Sequence, residues 1–484
     1  MRGKVHTLDM TQGRILPQLI RFSLPLMATS FLQLLYNAAD MMVVGQFGGT
    51  EPLGMVENPG AQSLAAVGST GALINLIVNL FVGFSLGANV VIAHAKGARD
   101  QKAIQQNVHT AISLALISGV ILMIIGFFLA RPLLEMMDSP HDVIDKATLY
   151  VQIFFLGMPA NMLYNFGAGI MRAVGDTRRP LFYLGISGLA NVLPNLLLVI
   201  VFRLDVAGVA IATVVSQVLS AVFVIRHLTH TDDSIRLNLK KLQLNKECVK
   251  EIVRVGLPAG IQSSLFSLSN VTIQAAINAK GSVWMAGNAA AANVEGFVWV
   301  SMNSISQGTL TFASANRGAR EYGRVRKVLW MSLITVVVVG LAVSMSALLF
   351  GKELLSLYNG EETVIEKGMV RMVIIMTTYW ICGLMDVAGS QMRGMGYAIS
   401  PMIVSLTGAC AFRLVWVALM NEGGFLANLL GTDLSVAENY MTTLYISYPI
   451  SWALTFLAHM GCYFFLARPR MMQQEKEMLQ AANN

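Results

Sequence analysis

The chain has 484 residues, 55% of them apolar and only 13% charged, whereas soluble domains carry roughly a quarter charged residues. That balance excludes a soluble enzyme or regulator and places the chain in a lipid bilayer. The net charge of +7 does not point to nucleic acid, because it is concentrated in alternate connections between apolar stretches.

The first fourteen residues, "MRGKVHTLDMTQGR", are polar. No small-residue cleavage site follows the first apolar stretch, so that stretch is expected to stay as a span instead of leaving as a signal peptide. It runs from Ile15 to Val44 and holds "LLYNAADMMVVGQ", with Asp40 in apolar surroundings. A carboxylate there costs about 3 kcal/mol even on lenient insertion scales, so stability alone does not explain it. Asn37 and Gln33 precede it by three and seven residues, on the same helical face.

Twelve apolar stretches can be drawn, among them Thr110–Ala130 and Val328–Phe350, each near the roughly 20 residues that cross a bilayer as helix. The connections "HAKGARDQK", "MRAVGDTRR", "RHLTHTDDSIRLNLKKLQLNKECVK" and "NRGAREYGRVRK" fall on one side. "GGTEPLGMVENPGAQ" and "NEGGFLANLLGTDLSVAEN", without Lys or Arg, fall on the other. The positive-inside rule then predicts both termini in the cytoplasm. Gly83 and Gly87 read as a close helix contact.

In the fifth span Ser187, Asn191 and Asn195 recur every four residues, and in the sixth Thr213 and Gln217 do the same. With Asp40 these oxygens could form a hard-cation or proton site, taking Na⁺ at Asp40, Asn191, Asn195 and Thr213. The alternative is that the amides hold helices together, their usual use in membrane bundles.

The chain then repeats itself. "MRAVGDTRRP" aligns with "MRGMGYAISP" and "AKGARD" with "NRGARE", both at an offset of 221 residues; "IRFSLP" aligns with "VRVGLP" at an offset of 233. An insertion such as Glu51–Gln62 in the first external loop explains the difference. The expected fold is all-α and integral to the membrane, twelve helices in two six-helix lobes related by internal pseudo-symmetry. The lobes are drawn at 1–228 and 251–467, joined by a cytoplasmic linker at 229–250 and followed by a tail at 468–484. Six spans per lobe make the repeats parallel, an arrangement suited to alternating access with substrate near the midplane.

The second lobe has no acid matching Asp40, since Ile273 occupies that place; its acids are Glu295 and Asp386, opposite Ile74 and Asn165 of the first lobe. Arg413 is the arginine read as deepest in a span, and a buried guanidinium asks for an acid, with Asp386 or Glu295 in view. Glu295 has Trp299 four residues on, an arrangement an organic cation would favour. With Gln33 and Gln262 these residues form a candidate substrate or gating set; a structural ion pair is the alternative for Asp386 and Arg413. No Walker A, HExxH, GxSxG or strand-linked GxGxxG pattern occurs, and Cys248, Cys382, Cys410 and Cys462 are scattered. The expectation is no enzyme and no cofactor, with work drawn from an ion gradient or from the substrate's own gradient.

"FSLPLMATSFLQLLYNAADMMVVGQFG", "LAAVGSTG", "GIMRAVGDTRRP" and "SQMRGMGYAISP" together resemble the multidrug and toxic compound extrusion family of secondary transporters, over nearly the whole chain. The resemblance implies an antiporter that exports organic, cationic or amphipathic compounds in exchange for inward H⁺ or Na⁺, here expected as a monomer in a bacterial inner membrane with small-molecule drugs as partners. It puts Asp40 on the family's first-span acid, Asn191 on a fifth-span asparagine and Thr213 on a sixth-span threonine. Members with this pattern often read "NxxxD" where this chain has "NVLPN", so Asn195 replaces an acid. A rival of the same superfamily is a flippase for lipid-linked precursors, which would need a central cavity rich in Arg and Lys.

Overall fold

The computed structural model describes residues 8–47, 59–136, 143–231, 234–420 and 425–483. Residues 51–58 of the first external loop, 421–424 of the last and Asp232 and Asp233 of the linker lie outside the described residues, as do the first seven. Within the described residues the regular structure is helical. In chain order the elements are α1 (Ile15–Phe47), α2 (Pro59–Gly97), α3 (Gln101–Met136), α4 (Ile144–Leu156), α5 (Met158–Ala173), α6 (Arg178–Leu196) and α7 (Asp205–His230). There follow α8 (Lys246–Asn278), α9 (Ser282–Gly318), α10 (Tyr322–Leu349), α11 (Gly351–Ser356), α12 (Glu362–Gly394), α13 (Ile399–Ser405), α14 (Phe412–Ala418), α15 (Phe425–Leu430), α16 (Ala437–Cys462) and α17 (Arg468–Asn483).

Nine helical stretches among the described residues are long and apolar enough to cross a membrane. Three more complete the twelve: α8, α9, and the pair α4 and α5, which breaks at Gly157. The fifth and eleventh spans each contain a π-helical turn, Leu197–Val201 after α6 and Leu406–Ala411 between α13 and α14. Such turns re-aim neighbouring side chains and are common near functional groups. Asn195 lies just before the first and Arg413 just after the second.

The sequence repeat is visible in the backbone. Arg99 and Arg320, 221 residues apart, both adopt left-handed φ, 55° and 58°, and Gly175 and Gly396, at the same offset, have φ of 87° and 85°. A positive φ at a non-glycine residue is uncommon, so its recurrence at one offset reports a shared turn. In each turn a backbone bond reaches back over the helix end: Asp100 N–H to Ala95 O at 3.1 Å, and Glu321 N–H to Asn316 O at 2.9 Å.

Contacts group the chain into two units, and these exchange half-helices relative to the repeat. One unit is Met1–Asp9 with Ala28–Ser264; the other is Met10–Met27 with Leu265–Asn484. Within the first unit, the early half of α8 lies backbone to backbone on α2. A Cβ on Gly87 would stand 2.2 Å from Ile252 O, and one on Gly260 2.2 Å from Leu80 O; Ser264 Oγ adds a hydrogen bond to Leu76 O at 2.8 Å. Within the second unit, the early half of α1 lies on α9. A Cβ on Gly308 would meet Ser23 Oγ at 3.0 Å, Phe22 packs edge-on against Phe312, and Asn316 Nδ2 donates to Met10 O at 3.0 Å. Gly308 is Gly87 shifted by 221, and Gly256 beside Gly87 is Ser23 shifted by 233. Both offsets therefore describe one repeated contact. Pro25 lies inside α1 and Pro258 inside α8, the two exchanged helices.

Candidate functional site

In the first unit the late half of α1 meets α6 and α7. Tyr36, one turn before Asp40, lays its ring over Gly188, where an added Cβ would fall 1.8 Å from the ring, and its hydroxyl donates to Gly185 O at 3.2 Å. That contact fixes the register in which Asp40 faces Asn195. Asn195 Nδ2 donates to Asp40 Oδ1 at 2.6 Å, and Thr213 Oγ1 lies 3.4 Å from Asp40 Oδ2. The Thr213 hydroxyl has one proton and a nearer acceptor, Val209 O at 3.0 Å. With the proton there, an oxygen lone pair is left toward Asp40 Oδ2. Asn191 and Asn195 are 4% and 1% exposed, and the Oδ1 atom of each is buried without a hydrogen-bond partner. Tyr150 of α4 also interacts electrostatically with Asp40, a neighbour the sequence reading did not include.

Three residues read with this group are not hydrogen-bonded to Asp40. Ser187 Oγ donates to Tyr183 O within its own helix at 2.7 Å. Asn37 and Gln33 are exposed and make no hydrogen bond to Asp40. Gln262, on the part of α8 that belongs to this unit, is buried.

The second unit holds a polar network that differs from the expected one. Glu295 Oε2 accepts from Arg371 Nη2 at 2.5 Å and Nε at 3.2 Å. Arg371 Nη1 donates to Asn288 Oδ1 at 2.7 Å, which also accepts from the Tyr445 hydroxyl at 3.2 Å, and Asn288 Nδ2 donates to Gln274 Oε1 at 3.0 Å. The Glu295 and Arg371 side chains are 14% and 8% exposed. Arg413, for which Asp386 or Glu295 was expected as partner, pairs with neither. Its Nε donates to Ser451 Oγ at 2.9 Å, its guanidinium lies 4.1 Å from the Tyr448 ring, and its Nη2 is buried without an acceptor. The reason is local: Arg371, missed in the sequence, already occupies Glu295. Asp386 interacts electrostatically with Arg393, two turns along α12. Trp299 is 44% exposed, and the cation beside Glu295 is the chain's own arginine.

Comparison with known proteins follows the same lines. The MatE family profile matches residues 25–197 and 258–419, which takes in both repeats. The chain is similar to the probable multidrug resistance protein YoeA of Bacillus subtilis, 25% identical over 461 residues, covering 93% of this chain and 94% of that one. It is similar to the multidrug export protein MepA of Staphylococcus saprophyticus at 20% identity, over 84% and 90% of the two chains. Among solved structures it shares its fold with an outward-facing multidrug resistance MATE family transporter of the MOP superfamily, at 20% identity and a TM-score of 0.84, covering 98% of this chain and 99% of that one. Two six-span repeats carrying the matched segments, in a fold shared along nearly the full length, make this multi-pass membrane protein a member of the MatE family.

Proposed function

We propose that the chain is a multidrug efflux transporter that exports organic, cationic compounds by alternating access, in exchange for inward H⁺ or Na⁺ bound at Asp40. The observation that carries this reading is the Asp40 cluster: one carboxylate tied to Asn195 at 2.6 Å, beside two buried amide oxygens without donors. A buried acceptor left unpaired costs about 1–3 kcal/mol, and a small cation or the proton of a neutral carboxyl would use such lone pairs. One carboxylate binding one H⁺ or Na⁺ becomes neutral, and a neutral site changes its facing state without carrying charge through the low-dielectric core. Thr213, with its lone pair toward Oδ2, suits either a protonated Asp40 that donates to it or a Na⁺ that it ligates.

The flippase reading needs several free basic groups around a pyrophosphate. In the second unit Arg371 is committed to Glu295, and Arg413 is covered by Ser451 and Tyr448, which favours efflux of organic cations. The test is transport in proteoliposomes with an imposed pH or Na⁺ gradient. Asp40→Asn is expected to reach wild-type membrane levels and lose uphill efflux; undiminished uphill efflux would overturn the assignment.

A further inference from the structure

The connection between α7 and α8 is fastened to the end of α2 and the first turns of α3. Lys96 Nζ donates to Ser234 Oγ at 3.2 Å and Gln105 Nε2 to Ser234 O at 2.7 Å. Asn238 N–H donates to His109 Nε2 at 3.1 Å, and Asn245 N–H to Thr110 Oγ1 at 3.3 Å. Since the Asn238 amide can only donate, His109 Nε2 is an acceptor, and Nδ1 carries the hydrogen that meets Gln105 O at 2.7 Å. Ile235 and Leu237 are buried beneath the connection, and Leu237 N–H closes on Leu228 O at 2.8 Å.

Held this way, the connection walls a cavity of 570 Å³ whose lining includes Arg236, Lys240 and Lys241. All three are exposed, and none makes an ion pair among the described residues. The two lysines sit on a single 3₁₀ turn, Leu239–Lys241, set by the Asn238 side chain, which accepts from Lys240 N–H at 3.0 Å. Beside them Leu239 and Leu244 are 54% and 51% exposed. The cavity lies at the ends of α3 and α7, both membrane-crossing helices, the level at which lipid headgroups sit.

We propose that this cavity binds the headgroup of an anionic phospholipid. The phosphate is met by Arg236, Lys240 and Lys241, and the acyl chains leave past Leu239 and Leu244 into the hydrocarbon. Arginine suits the phosphate through its planar fork of donors, and the lysines add point charge. A free inorganic anion would use the same three cations but gain nothing from two exposed leucines beside them. The hydrogen-bonded walls matter as well, because a site fixed before binding loses less entropy on occupation than a loose basic loop. Nothing in this reading depends on which ion drives transport.

The experiment uses the full-length protein in neutral detergent, titrated with phosphatidylglycerol, with phosphatidylcholine, or with inorganic phosphate, and read by native mass spectrometry and thermal unfolding. Phosphatidylglycerol is expected to bind and raise the unfolding midpoint, while the other two do neither. Each basic residue removed is expected to weaken phosphatidylglycerol binding about fivefold, so Lys240→Gln with Lys241→Gln loses on the order of twenty-fivefold. Lys352→Gln, another exposed lysine, is expected to leave binding unchanged. Equal binding of phosphatidylcholine would overturn the proposal, as would competition by inorganic phosphate at the same concentrations. So would a Lys240→Gln/Lys241→Gln chain that elutes normally and binds phosphatidylglycerol like the wild type.

Discussion

Replacing Glu295 distinguishes a substrate-binding carboxylate from one committed to the fold. Glu295 Oε2 takes two of the Arg371 guanidinium donors, at 2.5 and 3.2 Å, and both side chains are largely buried. Glu295→Leu would leave Arg371 with Asn288 Oδ1 at 2.7 Å and two tyrosine rings at 5.5 Å. Breaking one side of a buried pair costs about 3–5 kcal/mol, whereas exchanging both partners for apolar groups of similar volume is near neutral. For a chain of this size that cost corresponds to a fall in Tm of about 3–5 °C, read by thermal unfolding in detergent. Arg371→Met in the same chain is expected to recover most of it. Transport of cationic and neutral compounds should then fall together, because the Glu295 charge is already spent on Arg371. The reasoning fails if Glu295→Leu unfolds at the wild-type temperature while losing cationic substrates selectively. It fails equally if the double variant loses the sum of the two single losses.

Asn195→Asp would set two carboxylates where an amide now donates at 2.6 Å; cation affinity in liposomes is expected to rise and exchange to slow, and no change in either would remove Asn195 from the site. Gly87→Ala drives a Cβ to 2.2 Å from Ile252 O, whereas Gly71→Ala meets nothing within 4 Å. The first should cost about 1–3 kcal/mol and the second leave thermal stability unchanged; equal melting of both would refute the glycine contact. Gly188→Ala should displace the Tyr36 ring from α6 and reduce gradient-driven efflux, with Tyr36→Ala in the same chain restoring part of it. Full efflux in the single variant would show that this contact does not set the Asp40 register.

The helical class and the repeat were legible because membrane spanning is written in composition and length, and because the offset of 221 rests on short turns with demanding backbones, such as Gly175 and Gly396. Asp40, Asn195 and Thr213 could be grouped because an acid in a span needs polar company and four-residue spacing shows which amides share a face. Asn37 shares that face with Asp40 in the helical projection, yet the neighbouring helices meet the face at Asp40 and Tyr36. Arg371 was overlooked because "VRMVIIM" follows a polar helix start and reads as a basic group near the surface; only its burial against Asn288 and Tyr445 shows otherwise. Gly83 and Gly87 announced a close helix approach, but spacing names a face and not its partner. The placement of α8 against α2 was therefore beyond the sequence.

The exchanged half-helices bear on how the chain is made. Residues 10–27 are synthesised before α9, yet Met10 O accepts from Asn316 Nδ2, 306 positions later, so the contact that seats the early half of α1 cannot form until α9 has been made. The first unit is likewise incomplete until Lys246–Ser264 of α8 has emerged beyond the linker. Neither unit can be finished alone in the order of synthesis. A chain arrested after α7 would lack the α8 segment that packs on the glycine face of α2, and the early half of its Asp40 helix would lack the α9 surface it packs on.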